Sequence, residues 1–294
     1  MRLNTFCLCC QINKQASMID SFPDEKKKLA YMQNVLTRLT NLQEDDNSPS
    51  LYTEFQKHFT KIWGIAPKDY TELKKEFNQL MMDLEEELML SIRESADPLE
   101  RALIYSRIGN YIDFAALSHV KKEELLSLIE KGKQESLDKE EYRHFCEELS
   151  SASSLVYLTD NCGEIVLDKL VIRILKERFP KLDIQVIVRG FPAANDATIE
   201  DAKMCGLTEF IPVIGNGNDV GGTWLPHISK ESLSLIKNAD VIISKGQGNF
   251  ETLHGCALNI YYLFLCKCEW FMRMFQAEKF QGMFVNEKRI PSDL

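Results

Sequence analysis

An alternation that begins after Ser150-Ser151 constrains this chain more than any other feature. Short β-branched runs take turns with helical stretches: strands at 154–159, 183–188, 208–214 and 240–244, helices at 164–178, 196–204 and 229–237. An apolar run of that length reads as a strand buried on both faces. Strands separated by helices build βαβ units around a parallel sheet. The 164–178 helix is apolar over much of its circumference (Ile165, Val166, Leu167, Leu170, Val171, Ile172, Ile174, Leu175), so it is expected under cover. The run 260–265, with Tyr261, Tyr262 and Phe264, favours one further strand.

Upstream the pattern changes. Residues 23–149 are helical in period and strongly charged: Leu29, Met32, Val35 and Leu36 recur at helical spacing, as do Leu73, Phe77, Leu80, Met81 and Leu84. The stretch 45–50, Asp-Asp-Asn-Ser-Pro-Ser, reads as a turn or short linker. The runs Lys121-Lys122-Glu123-Glu124 and Lys139-Glu140-Glu141 are solvated helix faces. With no internal repeat, the 294 residues divide into a helical N-terminal domain, 1–150, and an α/β domain, 151–294. The predicted architecture is a three-layer α/β/α Rossmann-like sheet with that helical domain against it.

Charge and cysteine usage narrow the function. A net charge of −9 argues against a nucleic-acid partner or an anionic membrane surface. No apolar run reaches the roughly 18 residues a membrane span needs. Residues 1–6 lack the apolar core of a signal peptide, so a cytoplasmic location is expected. The nine cysteines are odd in number and irregularly spaced, which suits a reducing compartment. Cys7-x-x-Cys10 has no second pair at zinc-site spacing; Cys266 and Cys268 could approach it, but reduced or buried thiols are the simpler reading.

Ligands of open α/β sheets bind beyond the carboxyl ends of the strands, and three strands here end in polar residues. The first runs into Asp160-Asn161-Cys162-Gly163-Glu164, the second into Arg189-Gly190-Phe191-Pro192-Ala193-Ala194-Asn195-Asp196, the third into Lys245-Gly246-Gln247-Gly248-Asn249. Asp160 and Asp196 supply carboxylate oxygens and Asn161 an amide oxygen, a donor set suited to Mg²⁺ or Mn²⁺. Gly246 and Gly248 let backbone N–H groups approach an anion, Lys245 adds charge, and Arg189 adds a bidentate grip. Cation, water and positive side chains around one phosphoryl group are what in-line hydrolysis requires.

Each motif has a plainer explanation. Asn161 and Asn195 could be helix N-caps, Glu164 a helix-dipole partner, and Lys245-Gly-Gln-Gly a bare turn. In Arg107-Ile108-Gly109-Asn110-Tyr111-Ile112-Asp113, either Gly109 ends a helix, or Asn110 and Asp113 share a face toward the site. An aspartyl-phosphate enzyme usually has a second Asp two residues after the first; here Cys162 stands there, which favours a metal-activated water. Of His58, His119, His144, His227 and His254 only His254 lies near a motif, and it reads as an ordinary helix residue. The loop 215–223 misses both the dinucleotide fingerprint and the P-loop, although Asp219 could face the site.

Taken together, Asp160-Asn161-x-Gly163-Glu164 with Asp168, Arg189-Gly190-x-Pro192-x-x-Asn195-Asp196 and Lys245-Gly246-Gln247-Gly248-Asn249-Phe250-Glu251 resemble the damage-control phosphatases, an ARMT-like family. Cys7-x-x-Cys10, Gly109-Asn110-x-x-Asp113 and Lys267-Cys268-Glu269 resemble its stand-alone prokaryotic branch. The resemblance implies a phosphatase using Mn²⁺, Co²⁺, Ni²⁺ or Mg²⁺ on small phosphorylated metabolites. It maps metal ligands onto Asp160, Asn161 and Asp196 and a phosphate-binding lysine onto Lys245. The expected catalytic residues are Asp160, Asp196 and Lys245, with Arg189, Asn110, Asp113, Glu164, Gly246, Gly248 and Asn249 on the substrate. Two rivals are an S-adenosylmethionine-dependent carboxyl methyltransferase and a non-catalytic metabolite- or metal-binding protein.

Overall fold

The computed structural model describes Met1, residues 3–113 and residues 121–290. Among the described residues eight helices precede the first strand: α1 (Thr5–Ile19), α2 (Glu25–Thr40), α3 (Ser48–Trp63), α4 (Thr71–Asp83), α5 (Glu85–Arg93), α6 (Pro98–Gly109), α7 (Lys122–Gly132) and α8 (Lys139–Ser151). Then come β1 (Ser154–Leu158), α9 (Glu164–Arg178), β2 (Asp183–Val188), α10 (Ile199–Met204), β3 (Val213–Gly215), α11 (Lys230–Asn238) and β4 (Val241–Lys245). The last elements are α12 (Gly246–Leu253), β5 (Ile260–Leu265), α13 (Glu269–Met274) and β6 (Gly282–Asn286).

The sheet order is β3-β2-β1-β4-β5-β6, parallel except for β6, which pairs antiparallel with β5. Alternation along the strands sorts side chains to two faces. Leu155, Tyr157, Val186, Ile243 and Leu263 join the core that holds α6 and α9; Val156, Leu158, Ile187, Ile242 and Phe264 join the core under α11, α12 and α13. The three-layer architecture expected from the sequence is therefore the one observed.

Local chemistry explains the helix starts. Asn47 accepts from the Ser50 amide while the Ser50 hydroxyl accepts from the Asn47 amide, so the stretch expected to be a linker is the capping box of α3. That helix stops at Gly64, whose φ of +68° suits a residue without Cβ. Asp97 caps α6 with Pro98 just inside.

The helical region has two kinds of core. Tyr31, Val35, Leu51, Phe55 and Phe59 give α1–α3 a cluster of their own. Residues of α4–α8 pack in one cluster with β1 and α9, so hydrophobic packing runs across residue 150, where composition changes.

Several boundaries differ from expectation. The 196–204 helix starts at Ile199, because Thr198 and Asp201 form its capping box. The 208–214 strand is reduced to Val213–Gly215 behind a one-turn 3-10 helix, Leu207–Glu209. Gly246–Leu253 is a helix where a glycine loop was expected, and β6 was not anticipated at all. Two glycines in the first turn hid the former, and a short edge strand opening on glycine hid the latter.

Candidate active site

Strands β1 and β4 are neighbours, yet the chain leaves β1 toward α9 on one face and β4 toward α12 on the other. That is the switch point at which open α/β sheets leave a crevice. Asp160 follows β1 by two residues, Lys245 closes β4, and Arg189 follows β2. Backbone bridges join Asn161 to Asp196 and Arg189 to Thr198, drawing the second polar stretch against the first.

Lys245 has no exposed surface, and its ammonium donates to Glu164 Oε1 (2.6 Å), Asp168 Oδ1 (2.8 Å) and the Ser106 carbonyl (3.1 Å). An ammonium has three donors, so all are taken up. The expected phosphate-binding lysine therefore points inward here, holding two acids rather than reaching outward. Burial alone would lower its pKa, but the Asp168 and Glu164 charges hold it above the ordinary value. Asp168 also accepts from Ser106 Oγ and Tyr157 Oη, both at 2.7 Å. Burial pushes the Asp168 carboxyl up, and Lys245 offsets part of that rise.

Glu164 hands the network outward. Its Oε2 accepts from the Asn161 amide (3.2 Å), Asn161 Nδ2 (3.0 Å) and Asn110 Nδ2 (3.2 Å). Asn110 and Asn161 each also donate to Asp160 Oδ2, at 2.9 and 2.7 Å. The orientation of Asn161 follows from its neighbour: Asn195 Nδ2 donates to the Ile112 carbonyl (2.9 Å), so the same nitrogen faces Asn161 Oδ1 (3.0 Å). Asn161 thus shows N–H groups to the acids and uses one lone pair of its oxygen on Asn195.

Arg189, 2% exposed, donates from Nε to Asp196 Oδ2 at 2.5 Å, and its Nη2 lies 3.5 Å from Asp160 Oδ1. The expected direct grip on substrate is thus spent, in this structure, on the two acids. Burial, then the charges of Asp196 and Glu164, push the Asp160 carboxyl well above the carboxylate range, with Arg189 opposing. Burial pushes Asp196 up to about 6, opposed by Arg189.

Both readings of the 107–113 stretch hold in part. Gly109 ends α6 and Asn110 caps it, and the Asn110 side chain does enter the site. Asp113 instead pairs with Lys267 (2.8 Å), whose side chain is 2% exposed. Two further residues carry no sequence signal of a role. Lys74 on α4 donates to the Asp196 carbonyl (2.9 Å), and Asn78 Oδ1 accepts from the Gly163 amide (2.6 Å). Asp168 did carry one: it is a lone acid amid the apolar residues of α9, one turn after Glu164.

The glycines position the acids. A Cβ on Gly246, whose φ is +78°, would lie 2.0 Å from Asp160 Oδ2; one on Gly248 would lie 2.5 Å from the Gly221 carbonyl. Gly246→Ala is expected to cost about 1–2 kcal/mol in backbone conformation alone. It should lower the melting temperature by roughly 2–8 °C. An unchanged melt would show that this turn relaxes freely. Asn249 is buried; it donates to the Thr159 and Lys245 carbonyls (3.0 and 2.7 Å) and accepts from Thr223 Oγ1 (2.7 Å). It clamps two strand ends together. Asp219 pairs with Lys57 at 2.8 Å. His254 caps α12 and pairs with Glu287 (2.9 Å); His119 lies outside the described residues.

Asp160 and Asp196 are 6% and 7% exposed, so the edge opens narrowly to solvent. Two surface hollows of about 730 and 550 Å³ are lined by other residues. All nine cysteines are free thiols; Cys7 is buried and pushed up to about 11, while Cys10 is exposed. Among the described residues no three His, Cys, Asp or Glu side chains form a ready metal cage, and no helix is long and apolar enough to cross a membrane. A cation at the strand ends would need the amide oxygen of Asn161 beside Asp160 and Asp196. The donors fit one in charge and type: four buried carboxylates (Asp160, Glu164, Asp168, Asp196) share two buried cations (Arg189, Lys245). Asp168 Oδ2 and Arg189 Nη2 make no hydrogen bond.

Comparison with known proteins identifies the family. The model of the damage-control phosphatase ARMT1-like domain matches residues 4–282. A damage-control phosphatase of Archaeoglobus fulgidus is 33% identical over 225 residues, 74% of this chain and 75% of that protein. One from Pyrococcus horikoshii is 35% identical over 170 residues, 58% of each chain. The crystal structure of a DUF89 family protein from Pyrococcus horikoshii superposes with a TM-score of 0.78 at 26% identity, covering 98% of this chain and 99% of that one. With the motif residues gathered at one sheet edge and the family model spanning nearly the whole length, this chain belongs to the damage-control phosphatase ARMT1-like family.

Proposed function

We propose that this chain is a divalent-metal-dependent phosphomonoesterase acting on small phosphorylated metabolites, sugar phosphates among them. Family membership supports the phosphatase role. The observation that carries the finer reading is the surplus of buried negative charge where β1 and β4 diverge. Buried acids without counter-charge are costly, and a dication supplies what Arg189 and Lys245 do not.

Asp160, Asn161 and Asp196 would hold Mn²⁺, Co²⁺, Ni²⁺ or Mg²⁺. A bound dication polarises phosphoryl oxygens and lowers the pKa of water. The chain itself does the rest. Arg189 fixes the Asp160 and Asp196 carboxylates relative to one another, and Lys245 fixes Glu164 and Asp168. Amides in the first turn of α12 meet anionic oxygens. Lys267, with its ammonium on Asp113, is placed to meet the same charge. Two acids could orient the attacking water. Glu164 has both oxygens engaged, and Asp196 has Oδ2 on Arg189 and is a ligand of the proposed cation, so both stand as candidates for that role.

Hydrolysis of p-nitrophenyl phosphate should vanish with EDTA and return with Mn²⁺ or Co²⁺; turnover that survives chelation would sink the reading. A second result follows from the acids. Asp196 rises on folding from 3.8 to about 6, so without a cation its contribution to stability falls as pH climbs through that window. Cation binding needs the deprotonated form. The stabilisation on adding Mn²⁺ should therefore be small at pH 5 and grow as pH climbs through about 6, toward about 2.7 kcal/mol at a hundredfold excess over Kd. A shift that is constant with pH would remove Asp196 as a ligand.

A further inference from the structure

The larger surface hollow, about 730 Å³, is lined by none of the strand-end acids, and Arg107 forms part of its wall. Only 4% of that residue is exposed. Its Nη2 donates to Glu135 Oε2 (2.5 Å), while the buried Nε has no hydrogen-bond partner. A guanidinium carries five donors, and a buried donor left unpaired is costly. Burial pulls the Arg107 pKa down, with the Glu135 and Glu100 charges opposing, so a further anion at this group is stabilising. The start of β6 makes room for it: a Cβ on Gly282 would lie 2.1 Å from Arg107 Nε.

Glu135 is a weakly held partner. It stands in the loop between α7 and α8, and its side chain is 41% exposed against 5% for Arg107. A surface carboxylate gives up rotamer freedom to stay on a cation. The backbone around it is fixed, since the Leu137 amide donates to Glu100 Oε1 (2.9 Å) and Asp138 caps α8. The Glu135 side chain can therefore swing outward while the wall stays in place. That wall also holds Phe280 at a φ of +64°, strained for a residue with a Cβ, with its amide on the Cys266 carbonyl (2.7 Å). Leu137 and Phe284 add apolar surface to the lining.

We propose that this hollow binds a small monocarboxylate with a hydrocarbon body, held by the Arg107 guanidinium while Glu135 stands aside. The class follows from Glu135 itself, which already shows that this guanidinium accepts a carboxylate. Phe280, Leu137 and Phe284 suit the hydrocarbon part. Asp138 and Glu141 argue against a phosphate dianion. Asp138 is committed to the Glu140 and Glu141 amides (3.0 and 2.9 Å) and Glu141 to Arg289 (2.7 Å), yet both line the hollow and keep it acidic. The site is independent of the phosphatase reading. It shares only α6 with the strand-end acids, through Ser106 and Asn110 on either side of Arg107.

Titration calorimetry of the full chain in EDTA tests this with isovalerate, its neutral amide isovaleramide, and inorganic phosphate as competitor. Wild type should bind isovalerate and not isovaleramide, and phosphate should not displace it. Glu135→Gln, which removes the internal competitor, should bind isovalerate roughly tenfold more tightly. Arg107→Lys keeps the charge but loses the planar fork, and should bind it roughly tenfold more weakly. Glu135 is exposed, so its variant decides the matter even if Arg107→Lys misfolds. Absence of binding in both wild type and Glu135→Gln, or equal affinity in the two, overturns the site and leaves a hydrated hollow. Displacement by phosphate, or affinity unchanged in Arg107→Lys, overturns it too by placing the carboxylate elsewhere.

Discussion

Asp160→Asn should abolish hydrolysis while leaving the metal-free protein as stable as wild type. The side chain keeps its shape, and an amide oxygen can still accept from Asn110 and Asn161, which stand 2.9 and 2.7 Å from Oδ2. What it loses is one negative charge from a crowded set, since burial and the Asp196 and Glu164 charges all disfavour the ionised form. Removing that charge relieves repulsion in the metal-free state and removes an anionic donor from the cation site. Activity should fall by a factor on the order of a hundred to a thousand, the scale of losing one preorganised electrostatic group. In chelator the melting temperature should stay within about 2–4 °C of wild type, the equivalent of 1 kcal/mol in a chain of this size. The Mn²⁺-induced rise in melting temperature should shrink as well. Retained activity, or a large loss of stability in chelator, would show that Asp160 is a structural acid.

Lys245→Met should do the reverse and damage the fold first. The ammonium is the common partner of Glu164 and Asp168, all three without exposed surface. Methionine fills much of the volume but leaves two buried carboxylates without their cation. Breaking a buried pair in this way costs about 3–5 kcal/mol. That corresponds to a fall of roughly 6–20 °C in melting temperature. The loss should depend on pH. Burial already raises the Asp168 carboxyl and Lys245 holds it down, so without the ammonium its folded pKa climbs further. A raised carboxyl penalises folding above its folded pKa and less below it, so the gap from wild type should narrow from pH 8 toward pH 5. Adding Asp168→Asn should recover part of the loss. A variant that melts like wild type yet binds phosphate weakly would instead put Lys245 in direct contact with the ligand.

These two residues mark how far the sequence could be read. The β-branched runs and their polar ends disclosed the strands, the parallel sheet and the edge at which Asp160, Asn161, Arg189, Asp196 and Lys245 meet. They did not disclose which residues face substrate and which face each other. Lys245 and Arg189 looked like phosphate ligands by type, and in the folded chain both are partnered with acids. Asn249 looked like a ligand and is a clamp between strand ends. Lys74 and Asn78 had no signal, since each meets a loop more than eighty residues away.

Hydrophobic period and turn chemistry act over a few residues, so the sequence alone determined the α/β class, the parallel strands and the strand ends that carry function, but neither α12 nor β6. Hydrogen-bond and charge balance are settled between segments distant in the chain. Tertiary structure alone decided that four acids share two cations, that α4 reaches the site from the helical half, and that Gly246 leaves the space in which the Asp160 carboxylate sits. Side-chain partners follow from which buried groups can satisfy one another, and that is fixed only when the layers close.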